Sequence, residues 1–200
     1  AGVVELSADG TVTFSDAKSL TGTITALVDA NSGVVFSGDS TVTGVVGTSG
    51  TTIGTLHAGV ASKNVQFDAN IHAAVVALTA AGSVTFSDGA SLVGAVEAVV
   101  NGSGEVTFAG DNTVTGLVGL SGTTLSTITA GAASKNVQFD ANIHATAIEL
   151  TSTGSVTFGD GVSVVGIVES SSVSQGELVF GGSGTLASTV GAGSSLSTIK

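Results

Sequence analysis

The chain has 200 residues, among them 30 Gly and four Lys, and it holds no Pro, Cys, Met, Trp, Tyr or Arg. A net charge of −11 with so few cations excludes a basic surface for nucleic acid or anionic lipid, and no apolar run approaches the roughly 20 residues of a membrane-spanning helix. A hydrophobic share of 42% beside only 10% charged residues excludes a disordered chain, and the β-branched richness with polar alternation predicts strands.

Taken from its start, the chain opens on a segment, Ala1–Gly10, that resembles the tail of a repeat: Val4-Glu5-Leu6-Ser7 matches Ile148-Glu149-Leu150-Thr151. From Gly10, which recurs as Gly82 and Gly154, it repeats with a fixed period, giving units 10–81, 82–153 and an incomplete 154–200. The segment Ala61–Ala73 returns unchanged at Ala133–Ala145, and all eight Phe keep the same period: Phe14, Phe86, Phe158; Phe36, Phe108, Phe180; Phe67, Phe139. Such a chain is a stack of similar units, not one globule around a unique centre.

Within each unit a smaller pattern recurs: apolar-x-Phe, a short polar turn, then apolar-x-small-x-apolar. It reads Val12/Phe14 with Leu20/Gly22/Ile24, Val34/Phe36 with Val42/Gly44/Val46, and Val65/Phe67 with Ile71/Ala73/Val75. The second unit repeats it from Val84, Val106 and Val137, and the last from Val156 and Leu178. Alternation at period 2 places the apolar residues on one strand face. Turns such as Ser15–Ser19 and Ser37–Ser40 are rich in Asp, Gly and Ser, which favour turns. A third strand is expected at Ala26–Val28, Ile53–Leu56 and Leu125–Ile128. Three strands and three bends make one coil. The predicted fold is all-β, a single parallel β-solenoid (β-helix) over 1–200, with about eight coils and three coils per repeat unit.

Gly22, Gly44, Ala73, Gly94, Gly116, Ala145, Gly166 and Ser188 are expected to form one inward column that leaves room for the Phe rings. Successive Phe are unevenly spaced, with a long step from Phe36 to Phe67 and a short one from Phe67 to Phe86, so the coils differ in length. The long segments Gly47–Asn64 and Gly119–Asn136 are expected to bulge outward as loops. Neither terminus carries a cap pattern. The sequence therefore suggests further repeats on either side, or chains that abut end to end.

The strings Gly82–Glu97 (GSVTFSDGASLVGAVE) and Gly104–Gly131 (GEVTFAGDNTVTGLVGLSGTTLSTITAG) resemble the passenger repeats of bacterial autotransporters, in particular the rickettsial outer-membrane surface antigens of the OmpB type. The resemblance implies a secreted β-helical passenger at the bacterial surface, acting as an adhesin or surface-layer protein. No segment here alternates like a membrane barrel, and no functional residue carries over, because the shared motif is a scaffold motif.

The sequence offers no catalytic, cofactor-binding or metal-binding set. His72 and His144 fall at outward positions three coils apart, about 14 Å by the strand spacing, too far to share an ion. His57 has no counterpart, since Thr129 takes its place. The turn residues Asp16, Asp39, Asp88, Asp111 and Asp160 read as turn formers; the calcium-binding nonapeptide and the EF-hand spacing are absent, which leaves only weak calcium binding between stacked turns. A polysaccharide-acting site lacks Arg, Trp, Tyr and clustered carboxylates. Ice binding asks for uniform Thr ranks, and the outward rows Thr13, Val35, Gln66, Thr85 and Thr21, Thr43, His72, Val93 are mixed. Outward Val together with Leu117 and Ile167 suggests a lateral contact surface. The expected protein is not an enzyme. It is an extracellular structural or adhesive rod that assembles with itself end to end or side by side as a surface layer or filament. The alternative is a passenger adhesin that meets a host or neighbouring cell through its loops. Neither nucleic acid nor membrane insertion by this segment is expected.

Overall fold

In the computed structural model, which describes residues 2–60 and 62–200, twenty strands and no helix form a parallel β-solenoid of about nine turns. Ala1, at the head of the opening segment, and Ala61, the first residue of the unchanged repeat, lie outside the described residues. Every strand pair is parallel. Parallel pairing follows from the winding, because each turn returns in the same direction one layer further along.

The pairing sorts the inward residues onto three faces. On the first, Val12, Val34, Leu56, Val76, Val96, Val118, Ile143, Val164 and Leu186 stack in order. On the second, Val65, Val84, Val106, Ile128, Ile148, Val168 and Val190 do so. On the third the series runs Val4, Ile24, Val46, Ile71, Leu92, Val114, Phe139, Phe158, Phe180. The step from Val12 to Val34 is the commonest turn length; Val65 to Val84 is among the shortest and Val46 to Ile71 among the longest.

This corrects the expected three coils per repeat. Three turns from Val12 end at Val76, and the stretch that follows carries the chain to Val84 on the neighbouring face. Each repeat unit thus makes three turns and one third more. The Phe residues record the same advance: Phe14 and Phe36 stack on the first face, Phe67, Phe86 and Phe108 on the second, and Phe139, Phe158 and Phe180 on the third. Their rings still meet across the narrow interior, with successive centroids 5.0 to 6.1 Å apart. Six of the eight are fully buried; Phe14 and Phe180, in the end turns, are only partly covered.

The small residues have a different cause from the one expected. A Cβ on Gly44, Gly94, Gly116 or Gly166 would meet the backbone carbonyl of the preceding turn, not a Phe ring. At Gly94 and Gly166 the ladder bulges: Gly94 stands opposite both Ala73 and Ala74, and Gly166 opposite Ala145 and Thr146. Two residues facing one force the backbones together as the strand bends around a corner, and only glycine fits the remaining space.

Two more expectations change. The strand expected at Ala26–Val28 ends at Ala26, and Leu27 and Val28 lie exposed on a corner. The segments Gly47–Asn64 and Gly119–Asn136 are not projecting loops. Each contains a core strand, Ile53–Ala58 or Leu125–Ala130, as the third-strand reading of Ile53 and Leu125 requires, and only short turns flank it.

Candidate functional site

The corners carry most of the charge chemistry. Asp16 does not close its own turn: its Oδ1 accepts a hydrogen bond from the Asp39 N–H of the next turn, at 2.9 Å. Asp39 Oδ1 in the same way accepts the Asn64 N–H at 2.8 Å. Lys63 Nζ then donates to Asp16 Oδ2 at 3.0 Å and to Asp39 Oδ2 at 3.1 Å, which ties three successive turns together. One period later Asp88, Asp111, Asn136 and Lys135 rebuild this clamp. Gly38 and Gly110 leave the space through which the carboxylates of Asp16 and Asp88 reach upward. In the last unit Asp160 accepts the Ser183 N–H at 2.7 Å, with Ser183 in the place of Asp39 and Asp111. Other corners use the same device: Asp29 accepts the Thr52 N–H and Asn101 the Thr124 N–H.

These contacts set the protonation behaviour. Lys63 and Lys135 are the main cause holding the carboxyls of Asp16 and Asp88 below the usual 3.8. For Asp39 and Asp111 the main cause is the N–H of Asn64 or Asn136, followed by the lysine. The lysines are raised above 10.5, chiefly by their bonds to Asp16 and Asp88. A lowered carboxyl contributes stability that is complete above its unfolded pKa and is lost as pH falls through its folded value. A raised ammonium contributes fully below its unfolded pKa and loses that contribution as pH rises through its folded one. Wild type should therefore exceed the double variant Lys63→Met, Lys135→Met in thermal midpoint by most between about pH 4 and pH 10. The gap should close at both extremes and shrink in about 1 M salt. A gap indifferent to pH and salt would show that the lysines act only through their aliphatic stems.

His72 and His144 do not share a column. His72 follows Ile71 on the third face and His144 follows Ile143 on the first, so the extra third of a turn separates them further than stacking alone. Each ring is half-buried, and its Nδ1 is buried without a hydrogen-bond partner among the described residues. Among the described residues no three His, Asp or Glu side chains converge on a point. The corner carboxylates Asp16, Asp39, Asp88 and Asp111 already face an ammonium group. Nor do the outward apolar residues form one stripe. Val93, Leu117 and Ile167 are 41%, 39% and 39% exposed, but they flank Leu92, Val118 and Val168, which belong to three different faces.

At the two ends the strand edges are open within this chain. Among the described residues Gly2–Leu6 pairs only with Gly22–Ala26, and Leu196–Ile199 only with Gln175–Phe180. Val4, Val12, Phe14 and Leu20 at one end, and Phe180, Leu186, Val190 and Leu196 at the other, are partly covered core residues. Such an edge offers both unpaired backbone groups and apolar side chains to another strand.

No family model matches the chain, and neither curated proteins nor solved structures give a match. The likeness to autotransporter passengers is carried by the quoted strings alone.

Proposed function

We propose that this chain is an extracellular structural rod of a repetitive bacterial surface protein, extended by stacking further coils on its open edges. The observation that supports it most is that the core ladders run through every unit, with the glycine bulge repeated at Gly94 and Gly166 and the lysine clamp at Lys63 and Lys135, so the architecture sets no limit on length. The free edges at Gly2–Leu6 and Leu196–Ile199 accept parallel strands, whether from the same polypeptide or from a second copy. Assembly into a filament or surface layer follows from that property, and the reading assigns the chain no reaction. Adhesion through Gly47–Asn64 and Gly119–Asn136 draws less support, because the middle of each segment lies in the core.

Negative-stain electron microscopy of the 200-residue chain across a concentration series tests assembly. Filaments or sheets that lengthen with concentration are expected. Single rods of about 43 Å, nine turns at the strand spacing, at every concentration would overturn self-assembly.

A further inference from the structure

One lateral groove departs from the repeat. It has a volume of about 470 Å³ and runs over three successive turns on the first face. Asp9 and Thr11 line it from the first turn, Asn31, Ser32 and Gly33 from the second, and Thr55 and His57 from the third. Register places Thr11, Gly33 and Thr55 in one outward row and Val35 beside His57 in the next. Ser32 is only 6% exposed, and its hydroxyl is buried with no hydrogen-bond partner among the described residues. Ser32 thus closes the floor of the groove without presenting its hydroxyl to a ligand.

The same place in the other units is built differently. Residues 29–33 read DANSG where the second unit reads NGSGE, the longest run of consecutive differences between the two. Glu105 and Glu177 stand where Gly33 leaves a notch, and Gly104 and Gly176 stand where Ser32 stands. Ser126 and Ser197 take the place of Gly54, and their hydroxyls donate to the carbonyls of Gly104 and Gly176, each at 2.7 Å. Thr129 replaces His57 and Ala81 replaces Asp9. The first unit lacks the side chains that close the scaffold here and carries an amide, a carboxylate and an imidazole along the groove. By contrast, the hollow lined by Asp39, Ser40, Thr41, Asn64 and Gln66 is repeated at Asp111, Asn112, Thr113, Asn136 and Gln138 almost unchanged, as scaffold would be.

We infer that this groove is a binding site for a short, uncharged, polyhydroxylated ligand of one or two sugar rings. No Lys or Arg lines it, and the chain carries a net −11, so an anion finds no partner there. Asp9, Asn31 and His57 supply acceptors and donors along its wall, which suits vicinal hydroxyls. The Gly33 notch admits a substituent that Glu105 and Glu177 would exclude. With no aromatic platform the affinity should be low, on the order of 1 mM.

The test is a two-dimensional amide NMR titration of the 200-residue chain. The probes are glucose, galactose, mannose, N-acetylglucosamine and their neutral disaccharides, up to about 50 mM. At least one should move amides within Asn31–Val35 and Gly54–His57 and few others. Gly33→Glu, which copies Glu105, should weaken that sugar by at least about tenfold. His57→Thr, which copies Thr129, should also weaken it and keep the fold if Gly33→Glu does not. Silence from every sugar, or binding unchanged in these variants, would overturn the inference. Calcium or zinc moving the same amides where the sugars do not would overturn the ligand class.

Discussion

Gly94→Val should be among the most damaging substitutions in the chain, costing about 3–5 kcal/mol. Gly94 holds a φ of +131° at the bulge opposite Ala73 and Ala74, and a Cβ there would meet the Ala73 carbonyl oxygen. Valine is thus penalised twice, through a backbone conformation that L-residues avoid and through a collision with backbone that cannot swing away. Such a loss is a large share of a domain's roughly 5–15 kcal/mol. Gly50→Ala and Gly122→Ala serve as controls, because nothing lies within 4 Å of either added Cβ; they should change stability by less than about 0.5 kcal/mol. Urea unfolding followed by far-UV circular dichroism measures both. Equal effects from Gly94 and Gly50 would show that the turns can spread to admit a side chain. Hydrogen exchange should place the added opening in the turns around Ile71–Ala98, since stability in a stacked fold is largely a matter of neighbouring turns.

Phe86→Ala is the second large effect, expected at about 3–5 kcal/mol. Its ring is fully buried and lies between Phe67 and Phe108, with centroids 5.8 and 5.2 Å away. Removal leaves a hole that parallel ladders on all three sides cannot close, so the cavity adds to the lost transfer energy. Phe14→Ala should cost less, roughly half, because Phe14 stacks on Phe36 alone and is already partly exposed. Calorimetry on both variants separates the cases. Equal losses would mean that the end turn is covered as fully as the middle one.

How much of this could be read beforehand differs from residue to residue. The alternation around Val12, Val34 and Val84 identified strands, and the eight Phe identified stacking, because buried positions in a narrow solenoid tolerate few residue types. The long step from Phe36 to Phe67 concealed the extra third of a turn, since it carries the Phe series from the first face to the second. A clue lay in the period itself: Gly10 to Gly82 is longer than three steps like that from Phe14 to Phe36. The glycine column was visible, but its cause was not, since a carbonyl one turn below is a whole coil away in sequence. Lys63 and Lys135 passed unnoticed as clamps for a similar reason: each bonds Asp residues 47 and 24 positions earlier, and a corner's partners become neighbours only once the winding is known. For the groove, His57 in place of a threonine and the run of differences at residues 29–33 were both legible. That they make a hollow was not, because a missing side chain marks a hollow only beside its neighbours.

Because each unit ends one face beyond where it began, any feature encoded once per period appears at three azimuths in turn. Three periods bring it back to its starting bearing after ten turns. A long array built this way is a three-sided screw with no unique front. Laid along a flat surface, it would present one copy in three of any given feature. Packed among its own kind, it would offer each neighbour the same sequence of sides, whichever way it had rolled.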